Sequence, residues 1–297
     1  MICVEKTITL PDNSVIEVGL LAGQSNPKTI MLPVAKKPVY GQKAESLKQW
    51  GVDPELGKRL VEGLADRFQV LFFDYEGHLF QNPVPDDLTP EHIVNDFLHI
   101  ADEMNIRQFS YYGYSWLALA GLQLAVRTDR LESLLMGGFP PCEGPYREML
   151  AVTEKTYQQA LQQKQNAVPQ QAAPENPADF DWDNVNVTID PSVTQQFMTL
   201  YRSLIDFDDR SVLDKLPIPK LAFAGGQDTI VYGENFGNVS VDIVGRLKRN
   251  QSLLSKNGWD IEILPGSGMD HTKAMQPDVV LPVIKPWLTE KLLGGKR

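Results

Sequence analysis

The chain has 297 residues, of which 42% are hydrophobic, 22% are charged and 22 are glycine, the make-up of an ordinary globular protein. A chain of this length buries a sizeable core without disulfides or metals, so composition excludes a disordered, collagen-like or disulfide-scaffold protein. Lys+Arg 28 against Asp+Glu 38 leave a net charge of −10, the opposite of the basic footprint that nucleic acid requires.

In chain order, Val4–Leu10 and Val15–Leu21 are β-rich runs separated by Pro11-Asp12-Asn13-Ser14, which predicts a hairpin. Thr29–Pro33 reads as a short apolar strand. Asp53-Pro54 supplies an N-cap and a first-turn proline for a helix to about Asp66, and Val70–Asp74 is the next strand. Thr89-Pro90-Glu91 opens a second helix of the same kind, ending near Met104. Gln108–Tyr112 is a strand, Ser115–Thr128 a helix and Leu131–Gly137 a strand. Such alternation predicts a mostly parallel, doubly wound α/β sheet covered on both faces.

The alternation stops after Phe139. Residues 140–216 show no strand pair but two helical stretches, Tyr146–Gln163 and Pro191–Ile205, joined by a segment rich in Gln, Pro, Ala and Asn. It resumes with the strand Lys220–Ala224, a helix from about Val239 to Asn257, the strand Asp260–Leu264 and a last helix ending near Lys291. The expected organisation is therefore one α/β core, residues 1–139 and 217–297, with a helical cap inserted at 140–216. That cap carries 12 acidic and 6 basic residues, a net −6 of the chain's −10. Polyanionic substrates would be repelled there.

Two cysteines, Cys3 and Cys142, form neither a disulfide framework nor a CxxC pair. The first ten residues carry charge and no apolar run, unlike a secretory signal. The longest nearly uncharged apolar stretch, Tyr111 to Val126, falls short of the ~20 residues of a membrane span. The expectation is a soluble cytoplasmic protein acting on a small molecule, with no nucleic-acid or membrane partner.

The chemistry gathers at strand ends. Gly113-Tyr114-Ser115-Trp116 lies between a strand and a helix, where a sharp turn projects the serine hydroxyl from the sheet edge. A serine nucleophile needs a base, and the base needs an orienting acid. Asp228 follows the strand Lys220–Ala224. His271 follows the last strand and is the sole histidine after Asp228 among the chain's four. In a doubly wound sheet such C-terminal edges meet at one crevice. Glu143, after the preceding strand, is a rival for the orienting acid.

These residues, together with Phe73-Asp-Tyr-Glu-Gly-His78, make the sequence resemble the α/β-hydrolase superfamily over about Val4–Phe139 and Pro217–Leu293. The resemblance implies that Ser115 is the nucleophile, His271 the general base and Asp228 the orienting acid, with no metal or cofactor. It also implies an oxyanion hole from the backbone N–H of Trp116 and of a residue in the loop after the third strand, Ala35 with Val34 as the alternative. Serine at the nucleophile position argues against the dehalogenase and epoxide-hydrolase branches, which use aspartate there. Two departures stand out. Leu117 replaces the last glycine of G-x-S-x-G, and Pro33-Val34 replaces the family's His-Gly pair.

The activity this implies is hydrolysis of an ester or related acyl bond of a small to medium, largely apolar substrate. Carbon–carbon bond hydrolysis, peptide cleavage and perhydrolysis are close variants. Aromatic residues Phe139, Tyr146, Phe197 and Tyr201 are expected to line a cap pocket. The alternative, prompted by the two departures, is a small-molecule binding or sensing protein with little turnover.

Other motifs read as structural. His78 is a structural or pocket-lining histidine. His92 and His99 share a helix face with Asp96, but solvated polarity is favoured over a metal site because no clustered third ligand accompanies them. Asp179, Asp181, Asp183 and Asp190 follow EF-hand spacing, yet Asn184 stands where that loop needs glycine, so the favoured reading is an acidic loop.

Overall fold

A computed structural model describes residues 2–23, 28–166 and 190–294. β1 (Ile2–Thr9) and β2 (Val15–Ala22) form the antiparallel hairpin. Its turn is closed by the Leu10 N–H donating to Ser14 O, while Asp12 Oδ1 accepts from the Ser14 N–H. β3 (Thr29–Leu32), β4 (Gln69–Phe73), β5 (Phe109–Tyr114), β6 (Leu131–Gly137), β7 (Lys220–Gly225) and β10 (Trp259–Leu264) complete an eight-stranded sheet. The order is β1-β2-β4-β3-β5-β6-β7-β10, and every pairing from β4 to β10 is parallel. Strand order reverses between β3 and β5. In open α/β sheets that reversal marks the ligand crevice, beyond the strands' carboxyl ends.

The layers follow from side-chain alternation along the strands. Ile30 and Leu32, Val70 and Phe72, Tyr112, Leu135, Leu221 and Phe223 face α2 (Leu56–Leu64) and α10 (Pro277–Leu293). Met31, Leu71 and Phe73, Tyr111, Leu134 and Met136, Ala222 and Ala224 face α4 (Pro90–Glu103), α5 (Trp116–Ala125) and α8 (Ile243–Lys256). Both faces are thus covered, as the strand–helix alternation predicts.

Four local features differ from the sequence reading. α1 (Gln42–Gln49) is an unforeseen helix; it buries Ala44 alone and so carries no apolar stripe to betray it. Asp53 does not cap α2. Its Oδ1 accepts from the Glu55 N–H in a turn, and the helix starts later, at Leu56. Asp74 does cap a helix, α3 (Tyr75–Gln81), by accepting from the Gly77 N–H, so the Phe73–His78 segment is largely helical. Residues near Val239 are extended rather than helical: β8 (Thr229–Val231) and β9 (Ser240–Asp242) form a small antiparallel ribbon. Asp242 then caps α8 through the Gly245 N–H.

Between β6 and β7 the described residues form α6 (Tyr146–Asn166) and α7 (Pro191–Ser203), packed on each other, and a 3-10 turn at Arg210–Lys215. α7 docks on α3 and the loop after it. Gln196 Nε2 donates to Leu79 O, Gln196 Oε1 accepts from the Val84 N–H, and Thr199 Oγ1 donates to Pro85 O. Among the described residues no helix is long and apolar enough to cross a membrane.

Candidate active site

Ser115 joins β5 to α5 with φ 57° and ψ −129°. Positive φ is unfavourable for a residue with a Cβ, costing about 1–3 kcal/mol. The strain is held from β6, where Gly137 O accepts the Ser115 N–H at 2.8 Å. Although Ser115 occupies the N-cap position of α5, its side chain makes no capping hydrogen bond. A capping serine contributes about 1 kcal/mol to a helix. Here the hydroxyl forgoes that role and is left for other partners.

The missing glycine at position 117 is accommodated by Gly113. A Cβ on Gly113 would lie 2.3 Å from the carbonyl oxygen of Leu117, so the close approach of helix to strand occurs on the strand side. Leu117 itself is buried in the core, and its carbonyl accepts the Tyr111 hydroxyl at 2.7 Å.

Asp228 is fully buried in the turn after β7. The turn is fixed by the Gly226 N–H to Leu264 O, the Gln227 N–H to Met269 O and the Val244 N–H to Asp228 O. His271 opens α9 (His271–Ala274), a short helix capped by Asp270. Its Nδ1 lies 3.0 Å from Asp228 Oδ1 and 3.2 Å from Oδ2. Donation from Nδ1 to that carboxylate leaves Nε2 as the basic nitrogen, the tautomer a general base needs.

The imidazole is fixed on two further sides. Tyr114 donates its hydroxyl to His271 O at 2.8 Å, with ring centroids 5.0 Å apart. Burial, with the Asp228 charge second, pushes the Tyr114 phenol far above its ordinary range, so it stays a donor. Gly138 flanks the ring: a Cβ there would stand 2.8 Å from His271 Cε1. Gly138 follows the residue that anchors the Ser115 N–H, so the imidazole and the serine backbone both adjoin the Gly137–Gly138 step at the end of β6. Among the described residues no hydrogen bond joins Ser115 Oγ to His271 Nε2. In unliganded sites this bond is often open and closes with substrate.

The amides read as oxyanion donors sit on either side of the strand-order reversal. Trp116 begins α5, where the first N–H groups have no helical acceptor. After β3, Pro33 has no N–H and the Val34 N–H is spent on Leu32 O at 2.9 Å; Ala35 carries the next amide, which donates to no backbone carbonyl among the described residues. Sequence reading missed Tyr114, Gly138 and Glu76. Glu76 accepts the Trp116 indole N–H at 2.8 Å. Adjacency to Ser115 was the available signal for Tyr114; nothing local marks the others.

Other residues fall elsewhere. Glu143 is engaged with Arg210 and Asn250, so it does not contact His271. Of the four aromatics expected in a pocket, Phe197 reaches the site, edge-on to Trp116 at 5.3 Å. Phe139, Tyr146 and Tyr201 are buried in the core, where Phe139 packs on Tyr146. His78 is buried, with Nε2 2.9 Å from Ser14 Oγ. His92 is not solvated: its ring lies between Asp87 and Asp96 and is 11% exposed, while His99 Nε2 meets Thr9 O. No group of three or more potential metal ligands occurs among the described residues. The aspartates at 179, 181 and 183 lie outside the described residues.

The sheet order, the layers and the crest of strand ends give the chain the α/β-hydrolase fold. Solved structures of that fold superpose over nearly its whole length. The enol-lactonase from Burkholderia xenovorans LB400 matches with TM-score 0.59 and 17% identity, over 96% of this chain and 100% of that one. Proline iminopeptidase from Mycobacterium smegmatis gives 0.56 and 17%, over 99% and 100%. A thermophilic esterase from Thermogutta terrifontis gives 0.55 and 15%, over 98% and 99%. No family model and no curated protein matches the sequence.

Proposed function

We propose that the chain is a serine hydrolase cleaving an ester or related acyl bond of a small to medium, largely apolar substrate. The observation that carries this reading is Ser115: a strained serine at a helix N-cap position whose hydroxyl does not cap. It stands on the same crest as an imidazole bound to a buried carboxylate. That the similar structures include an esterase and an enol-lactonase supports acyl chemistry.

In the mechanism, Ser115 Oγ attacks the carbonyl carbon as His271 Nε2 takes its proton. The carbonyl π pair moves to oxygen, and the Trp116 and Ala35 amides bind the oxyanion. Collapse breaks the bond to the leaving group, which leaves with the proton held by His271. Water then attacks the acyl-enzyme, giving a proton to His271. The second tetrahedral species expels Ser115, which recovers that proton as the acid departs. Asp228 keeps Nδ1 protonated and stabilises the imidazolium. Residues 140–216 act as a cap in this reading, with α7 placing Phe197 over Trp116.

A fluorophosphonate probe tests the proposal. Wild-type protein is expected to label and Ser115→Ala is not, with p-nitrophenyl ester turnover lost in parallel. An unlabelled wild type that binds small molecules independently of Ser115 would instead support the sensing alternative.

A further inference from the structure

Glu76 is a carboxyl that the triad does not use and that stands against the nucleophile turn. It lies in the first turn of α3, beyond the C-terminal end of β4, and its Oε1 accepts the indole N–H of Trp116. The backbone amide of the same tryptophan is the proposed oxyanion donor. The carboxyl is thus one side chain away from where negative charge develops. Glu76 retains access to solvent, yet protein crowds it enough that burial raises its carboxyl above the usual range. The Trp116 hydrogen bond opposes that rise and Asp74 adds to it.

The surroundings of this carboxyl are aromatic. Trp116 meets Phe197 edge-on at 5.3 Å, and Phe197 lies 6.1 Å from the half-exposed ring of Phe80. No ion pair to Glu76 forms among the described residues, whose nearest polar partner is the neutral indole. An uncompensated carboxylate close to an oxyanion opposes the reaction, unless the substrate brings a positive charge of its own. Aromatic faces beside a carboxylate are what an ammonium ion fits.

We propose that Glu76 and the Trp116 ring form a subsite for a cationic amine, a protonated or quaternary ammonium group carried by the substrate near the acyl bond. The placement relative to the bond cut rests on the serine-hydrolase reading; binding of the cation does not.

Two measurements at pH 8 test it. Choline and its neutral isostere 3,3-dimethyl-1-butanol are compared for binding by saturation-transfer NMR. Choline butyrate and 3,3-dimethylbutyl butyrate are compared as substrates by kcat/KM. Wild-type protein is expected to prefer the cation at least tenfold, Glu76→Gln to lose that preference and Glu76→Asp to keep part of it. Circular dichroism confirms that each variant is folded. Equal binding of the two alcohols by wild type overturns the subsite, as does a preference that survives in folded Glu76→Gln. Glu76-dependent choline binding without ester turnover or fluorophosphonate labelling upholds the subsite and sinks the hydrolase reading. Hydrolysis of both esters at equal efficiency does the reverse.

Discussion

The Tyr114 hydroxyl donates to the backbone carbonyl of His271 at 2.8 Å, so the residue before the proposed nucleophile holds the residue that would deprotonate it. The link spans 157 positions of sequence and ties the end of β5 to the start of α9. Because the bond goes to the main chain, it fixes where the imidazole is carried.

Tyr114→Phe is therefore expected to lower kcat about tenfold with KM little changed, while costing only the ~1 kcal/mol of a typical hydrogen bond in stability. Steady-state kinetics with a p-nitrophenyl ester, paired with a thermal melt, separate the two effects. The rate of fluorophosphonate labelling should fall in proportion to kcat. An unchanged kcat beside a lowered melting temperature would leave Tyr114 a purely structural residue.

Gly138 gives a second handle on the imidazole. Its φ is +63°, and an added Cβ would stand 2.6 Å from Tyr114 Cζ and 2.8 Å from His271 Cε1. Gly138→Ala should cut kcat by about 10²-fold, the scale of a 1 Å misplacement in an active site. Gly237 supplies the control. It has φ +87° but only ordinary contacts around a built Cβ, so Gly237→Ala pays the backbone cost without touching the ring. The expected outcome is a loss of turnover confined to Gly138→Ala, which also melts below Gly237→Ala because its Cβ must displace the Tyr114 and His271 rings.

Much of this arrangement was legible in the sequence because it rests on local signals. Apolar runs bounded by turn residues marked all eight strands of the main sheet to within about two residues, and the Gly113–Trp116, Asp228 and His271 segments each announced themselves after a strand. What escaped was set by tertiary contact. α1 has too little buried surface to imprint a period, and β9 was absorbed into the helix that Asp242 caps. Phe139, Tyr146 and Tyr201 looked like pocket residues by composition, but only three-dimensional packing assigns them to the core. Glu76 stands at a variable position of the Phe73–His78 segment, so the motif gave it no role; its meeting with Trp116, 40 residues away, exists only once β4 and β5 are folded together.

Asp228→Asn tests the tautomer argument. The amide fills nearly the same buried space, but it can donate where the carboxylate could only accept, which favours a proton on the wrong nitrogen of His271. A fall in kcat of about 10³–10⁴-fold is expected, with the fold retained by circular dichroism. Loss of less than tenfold would show that Asp228 does not orient the base, and attention would then shift to how else His271 is held.

The last prediction concerns stability against pH and lies away from the site. His92 follows the Thr89 cap of α4, with Nε2 3.4 Å from Asp96 Oδ2 and Nδ1 3.1 Å from Asp87 Oδ2. Asp96 is itself buried and also accepts the Tyr75 hydroxyl at 2.7 Å. Hydrogen bonding to Asp96 is the largest influence on the ring; burial opposes it, and the Asp96 and Asp87 charges add to it, raising His92 from its ordinary 6.5 to about 9. A histidine whose folded pKa is raised stabilises the fold fully below its unfolded value. That contribution is lost as pH climbs through the folded one. Stability from this ring should hence be complete below pH 6.5 and gone above about 9. Its size at pH 6 is of order 1–3 kcal/mol, since each unit of difference corresponds to about 1.4 kcal/mol. Urea unfolding of wild type and His92→Gln across pH 5.5 to 9.5 reads it out. The gap between the two proteins should shrink steadily over pH 6.5–9, whereas a constant gap would mean that His92 acts by packing and its proton contributes nothing.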